Sequence, residues 1–229
     1  MAEGILTVGT RRYSSWSLRG WLAVRLAGLD VEERVIPLVG GGNTEAVRAI
    51  SPSGLVPILE HRGNTVWETI AICEYCAELS PALWPADRAA RTRARVIAAE
   101  MHAGFRDLRT AMPMNLGRQR RMLVNEGALA DIARVEAIWR ETRSLFGQGG
   151  PFLFGADFNA ADAMFAPVVA RFLGYLPELA ADSRAYCRAV REHSLVAEWY
   201  DAAAAEPLEW RIAYYEDPPC EDPACEDPA

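Results

Sequence analysis

The seven residues Tyr13-Ser14-Ser15-Trp16-Ser17-Leu18-Arg19 carry three serine hydroxyls where a short apolar run hands over to an apolar pattern of helical spacing. Hydroxyls and free amides at a helix start stabilise an anion. A serine there can donate a hydrogen bond to a thiolate, lowering the thiol's pKa so that more of it is a nucleophile at neutral pH. Serine is also a preferred N-cap at any helix, so the segment reads either as a cap or as a thiol-activating loop. In Ser53-Gly54-Leu55-Val56-Pro57-Ile58-Leu59 a proline stands at a strand entry, either trans or in a cis bond that turns the Val56 amide and carbonyl toward a ligand. Glu68-Thr69 sits where a strand turns into a helix and suits both ends of an amino acid. The carboxylate takes an ammonium, while the hydroxyl and the helix amides take a carboxylate. For Thr69 a plain cap is the alternative; three such elements in this order favour a site.

Other reactive-looking residues have structural readings. Cys73-Glu74-Tyr75-Cys76 falls inside an expected helix, whereas a redox pair would open one. With only His61, His102 and His193 in the chain there is no second ligand pair, so these cysteines read as core and no metal site is expected. Asn159 and Asp162 have the spacing of a capping box, which makes Asp162 structural.

The elements that must position these residues follow from hydrophobic period. Residues 4–8 read as a strand, residues Trp21 to Leu29 as a helix ended by Gly28 and Asp30, and 31–38 as a second strand, a β-α-β unit with parallel strands. Gly40-Gly41-Gly42-Asn43 interrupts the pattern. A short helix over 44–50 leads to a hairpin of 55–60 and 65–68 about His61-Arg62-Gly63-Asn64, then to a helix over 69–79. This order, βαβαββα, predicts an α/β thioredoxin-like unit over 1–80. A proline-punctuated linker spans 81–87, and beyond it strand alternation disappears. Val96 or Ile97, Met101, Phe105 and Leu108 share one helical stripe, and Ile132, Val135, Trp139, Thr142 and Phe146 another. Three shorter helices are expected near 160–173, 184–191 and 195–204, completing an all-α domain over 88–214.

The net charge of −7 is concentrated at the end: six acids and no base lie in the last fourteen residues, leaving 25 acids against 24 bases elsewhere. A near-neutral body argues neither for a nucleic-acid partner, which is not expected, nor for a strongly charged partner surface. Residues 215–229 repeat Glu-Asp-Pro-x-Cys and are too polar to offset their ordering entropy, so disorder is expected. No apolar run approaches about 18 residues, the start lacks a signal-peptide pattern, and five cysteines form no secreted framework. A cytoplasmic protein without a membrane partner is the expectation.

Together, Ser14-Ser15-Trp16-Ser17-Leu18-Arg19, Val56-Pro57, Glu68-Thr69 and Asn159-Ala160-Ala161-Asp162 resemble the cytosolic glutathione transferase superfamily over roughly residues 4 to 210, nearest its serine-type, zeta-like bacterial members. The resemblance implies the glutathione transferase fold and glutathione as cosubstrate. It places Ser14 at the glutathione sulfur with Ser15 second, Val56, cis Pro57, Glu68 and Thr69 along the peptide, and Asn43 near its glycyl end. It implies an acceptor pocket against the first long C-terminal helix, with Met101, Phe105, Met112 and Met114, and Arg171 reaching an acidic substrate. Conjugation of glutathione to a small electrophile is the expected reaction, with zeta-type isomerisation or a silent binding module as alternatives, in a two-fold homodimer. Trp16 departs from the zeta pattern, which has cysteine there.

Overall fold

A computed structural model describes residues 2–42, 44–119 and 125–216. The first unit is a four-stranded sheet of order β2-β1-β3-β4. Strand β1 (Gly4–Gly9) pairs parallel with β2 (Glu32–Ile36), with Val8 opposite Val35, and antiparallel with β3 (Ile58–His61), with Leu6 opposite Leu59. Strand β4 (Asn64–Trp67) closes a hairpin on β3. Its two-residue turn sets Arg62 at φ 48° and Gly63 at φ 78°, the twist that suits a tight hairpin. Gly4 is fixed by close approach: a Cβ there would lie 2.0 Å from the Glu60 carbonyl oxygen on β3.

Helix α1 (Ser15–Leu26) and helix α3 (Thr69–Leu79) pack together on one side of the sheet, and the short α2 (Glu45–Arg48) follows the glycine loop. Gly20 of α1 lets the helix approach the strand entry, since a Cβ would meet the Pro57 ring at 2.6 Å. The second unit is helical: α4 (Arg88–Ala103), α5 (Arg106–Ala111), α6 (Glu126–Phe146), α7 (Ala160–Tyr175), α8 (Ala181–Glu192) and α9 (Ser194–Ala204). Asp87 caps α4 and Asn125 caps α6 through their side chains, each accepting from the amide three residues on. This is the glutathione transferase fold.

One expected stripe is broken. Met101, Phe105 and Leu108 do not share a helix: α4 ends at Ala103, and Phe105 turns left-handed at φ 60° before α5 begins. Gly104 is the C-cap of α4, where a Cβ would lie 2.9 Å from the Glu100 carbonyl oxygen, and Asp131 of α6 accepts the Leu108 amide at 2.9 Å, satisfying a helix-start donor that α5 could not satisfy itself.

Helix α7 is buried along nearly its whole length and packs on both α1 and α4. Its start is held by the full capping box of Asn159 and Asp162, the latter also accepting from Leu153 N at 3.1 Å and Tyr186 Oη at 3.0 Å. Trp139 packs against Phe165, Phe172 and Tyr186 around this helix. A single apolar core runs from Leu6 in the sheet to Trp199 on α9, so α1 is clamped from both sides. Cys73 and Cys76 lie in it on α3, their thiols raised by burial, that of Cys76 to about 12. Among the described residues no helix is long and apolar enough to cross a membrane, and no group of three metal-ligating side chains occurs.

Candidate active site

Ser14 is the N-cap of α1, and its hydroxyl is tied into the helix start. It accepts from the Ser17 amide at 3.3 Å and donates to the Ser17 hydroxyl at 2.7 Å, which in turn accepts from the Gly9 amide at 2.9 Å. The cap reading of Ser14 holds, and the same bonds keep its oxygen at the start of α1. Beside it opens a cavity of about 240 Å³, lined by Tyr13, Ser14, Leu38, the glycine loop and Val56. Gly40, Gly41 and Gly42 all take positive φ (85°, 61°, 71°), a run that side chains with a Cβ adopt only under strain. Asn43 lies outside the described residues.

A second cleft meets the first at Trp16, Leu55 and Val56, and Pro57, Glu68 and Thr69 border it. Val56-Pro57 is cis, and among the described residues no backbone partner takes the Val56 amide or carbonyl. Glu68 stands at φ 65° immediately before α3, its carboxylate half-exposed and 3.6 Å from His102 Nε2. Burial holds His102 below its ordinary pKa, with Glu68 opposing. Thr69 opens α3 and donates to the Trp16 carbonyl at 3.4 Å. Ser14, Val56, Pro57, Glu68 and Thr69 thus come from three separate stretches of chain to two adjoining clefts.

Arg171 reaches the same place from α7. It donates to Ser15 Oγ at 3.3 Å, to the Met112 carbonyl at 2.8 Å and to the Pro167 carbonyl at 3.0 Å. Met101, Phe105, Met112 and Met114 are core residues, and none of them borders either cleft.

Sequence reasoning missed two features. Arg19, fully buried on α1, donates to the Met164 carbonyl at 2.7 Å and the Ser15 carbonyl at 3.4 Å, with its guanidinium 4.5 Å from the Trp16 ring centre. Arg109 of α5 lies 5.0 Å from the same ring. Burial lowers the pKa of all three arginines, that of Arg171 to about 10, and Arg109 depresses the other two further. Among the described residues none of the three has a carboxylate within ion-pair distance. Arg19 was visible as a cation four residues after Ser15 on an otherwise apolar helix face; nothing in the sequence tied Arg109 to it.

The other missed feature is the far wall of the first cavity, built by Ile212 and Tyr215. Glu216 accepts from Arg12 Nε at 3.0 Å and Nη2 at 3.2 Å and from the Tyr13 hydroxyl, and Tyr13 Oη accepts from the Ile212 amide at 3.3 Å. Asn115 Nδ2 donates to the Tyr215 carbonyl at 2.8 Å. The first two residues of the expected 215–229 tail therefore lie against the loop that leads into Ser14, and 217–229 fall outside the described residues.

Two family models match the chain: the glutathione S-transferase N-terminal domain over residues 13–79 and the glutathione S-transferase C-terminal domain over 86–202. The chain belongs to the glutathione S-transferase family. Among curated relatives, the maleylacetoacetate isomerase of Rattus norvegicus is 28% identical over 167 residues, covering 70% of this chain and 74% of that protein. The Mus musculus maleylacetoacetate isomerase matches to the same extent. Among solved structures, a maleyl pyruvate isomerase described as a bacterial zeta-class glutathione S-transferase aligns with TM-score 0.68 at 24% identity, covering 89% of this chain and 99% of that one. A Burkholderia BGR1 glutathione transferase homolog with bound glutathione aligns with TM-score 0.67 at 23% identity, with the same coverage. In this family member, the N-terminal sheet domain meets the helical domain where α1 packs on α7, and Arg171 of α7 bonds Ser15 of α1 there.

Proposed function

We propose that this transferase binds glutathione and uses it to isomerise a small unsaturated acid. One observation carries the reading: Arg19, Arg109 and Arg171 converge on Ser15 and Trp16, one residue from Ser14, without a carboxylate partner among the described residues. Arg19 and Arg171 are buried, while Arg109 is half-buried with Asp131 favouring its charge; buried cations are costly, and an anionic ligand offsets that cost. The names of the curated relatives, which denote isomerases of an unsaturated acid, support the same direction.

The residues fit glutathione. The unpaired backbone groups of Val56 suit its cysteinyl peptide, while Glu68 takes the γ-glutamyl ammonium and the start of α3 at Thr69 takes the adjoining carboxylate. Bound there, glutathione supplies a thiolate nucleophile. Ser14 Oγ and the amides at the start of α1 stabilise that charge and lower the thiol's pKa. Arg171 and Arg109 hold the acceptor's carboxylate, fixing its unsaturated carbons over Ser14. In this proposal the active protein is a cytoplasmic homodimer; exposed Trp67, Leu79 and Val96 offer apolar surface for a second copy. A single-chain mass at micromolar concentration would sink the dimer.

The test is a cis-configured acid such as maleylacetoacetate, followed with and without reduced glutathione. Isomer conversion that needs glutathione and leaves its concentration unchanged supports the reading. Consumption of glutathione with adduct formation moves the protein to conjugation, the second reading, which Trp16 favours because zeta enzymes have cysteine there. Binding without turnover of either kind leaves a silent binding module.

A further inference from the structure

We infer that Glu206 is a positioning residue for the loop that carries Ser14: its carboxylate, just past the end of α9, holds the backbone amides of Arg11 and Arg12 and thereby fixes where the Ser14 hydroxyl stands. The inference rests on the glutathione reading proposed above and adds the residue that sets the geometry of its hydroxyl.

Residues Thr10 to Tyr13 form a tight turn between β1 and α1, closed where the Thr10 carbonyl accepts from the Tyr13 amide at 3.2 Å and from the Ser14 amide at 2.9 Å. Ser14 is the exit of this turn, so a shift of the turn moves it. The middle pair, Arg11 and Arg12, is held from outside, and each of its four backbone groups is taken by the helical unit. Glu206 accepts from the Arg11 amide at 2.6 Å and from the Arg12 amide at 3.2 Å, one carboxylate oxygen for each. Trp199 Nε1 donates to the Arg11 carbonyl at 3.2 Å, and the Leu116 amide donates to the Arg12 carbonyl at 3.1 Å. Successive amides in a turn form a concavity for an anion, and a bond from an amide to a carboxylate is stronger than one between neutral groups.

Glu206 thus does more for the turn than Trp199 or Leu116, which are neutral donors to one carbonyl each. Its oxygens go to the backbone, not to the neighbouring guanidiniums, which have carboxylates of their own: Arg11 pairs with Glu33 at 2.7 Å and Arg12 with Glu216 at 3.0 Å. Glu206 is half-buried. Burial raises its carboxyl above the ordinary value, and the two amide bonds and both arginines oppose that rise. Removing the carboxylate leaves the two middle amides of the turn without a protein acceptor, and the turn then keeps only its carbonyl contacts and the outlying ion pairs.

The experiment compares wild type, Glu206→Ala and Glu206→Gln, first by amide hydrogen exchange without ligand and then by titrating the thiol of bound glutathione through its thiolate ultraviolet absorbance. Thermal melts confirm folding. In Glu206→Ala, exchange over residues 11–17 is expected to quicken about tenfold with the rest of the chain unchanged. The bound thiol's pKa should rise by about one unit while the glutathione Kd changes by less than about threefold, because Val56, Glu68 and Thr69 are untouched. Glu206→Gln, of the same size with one acceptor oxygen left, should fall between the two. A role confined to overall stability would quicken exchange everywhere and leave the thiol pKa alone. That pattern, unchanged exchange over 11–17, or a loosened loop with an unchanged thiol pKa would each overturn the inference. A wild type that binds no glutathione would refute the proposed function, and exchange over 11–17 would then decide alone whether Glu206 holds the loop.

Discussion

The Ser14 hydroxyl donates to the Ser17 hydroxyl across 2.7 Å, and Ser17 accepts in turn from the Gly9 amide at the end of β1. The strand and the helix start are therefore linked through two serine side chains, and the Ser14 oxygen is held in one orientation. Under the proposed function, a bound thiolate would accept a hydrogen bond from Ser14 after rotation of the hydroxyl alone, without moving the backbone.

Ser14→Ala removes the donor to the thiolate. A hydrogen bond to a charged group is worth about 1.5 to 3 kcal/mol, which raises the bound thiol's pKa by about one to two units. Turnover at pH 7 should fall by about tenfold or more and recover as pH rises, with glutathione affinity nearly kept. Unchanged kinetics would transfer the role to Ser15. Ser17→Ala instead leaves the buried Gly9 amide unpaired and should cost about 1 to 3 kcal/mol of stability, read by urea unfolding.

Arg171→Met should raise KM for a carboxylated acceptor by about tenfold or more, since it removes one buried cation and its fork of donors. The glutathione Kd should change by less than about threefold, because Arg171 touches Ser15 and no group assigned to the peptide. Parallel shifts in both constants would contradict this division of the site.

Glu216 is held below its ordinary carboxyl pKa of 4.5: burial would raise it, but the hydrogen bonds from Arg12 and Tyr13 outweigh that. A depressed folded pKa gives stability that is present above about 4.5 and is lost as pH falls through the folded value. Glu216→Gln should therefore loosen the wall made by Ile212 and Tyr215, speeding trypsin cleavage after Arg211 and glutathione dissociation severalfold at pH 7. Wild type should acquire the fast dissociation on acidification below about pH 4.5. Rates equal in variant and wild type at both pH values would show that the contact is not a closure.

Asp162 has the opposite sign. Burial raises its carboxyl from 3.8 to about 6 despite four hydrogen bonds that favour the charge. The folded state therefore holds this proton more tightly, and the corresponding stability, about 3 kcal/mol, is full below pH 3.8 and disappears as pH rises through about 6. The margin of wild type over Asp162→Asn should shrink between pH 4 and pH 7.5 in urea unfolding; a margin that widens would show that the capping bonds dominate over burial.

Much of this architecture was legible locally. The helix over 69–79 and the hairpin about Arg62-Gly63 were readable because their signals lie within a few residues: an apolar period, a cap and a glycine that needs φ 78°. The break at Gly104 was not, because Phe105 keeps the apolar spacing of a continuous helix while its backbone turns left-handed, and the group that rewards the turn, Asp131, is more than twenty residues away. Met101 and Met112 fitted a pocket by position but are buried in the core, since apolar spacing marks a face without saying what covers it.

What the sequence by itself determined is the local chemistry: a serine at a helix start, a proline at a strand entry, a carboxylate and hydroxyl at a second helix start, and the order of elements that could bring them together. What only the tertiary structure decided is the charge around them. Arg19, Arg109 and Arg171 come from α1, α5 and α7, and Glu216 meets Arg12 across 204 residues. Periodicity reports which side of an element is buried, but the sum of charges at one point depends on where separate elements cross, and that is fixed by packing α1 against α7 in a shared core.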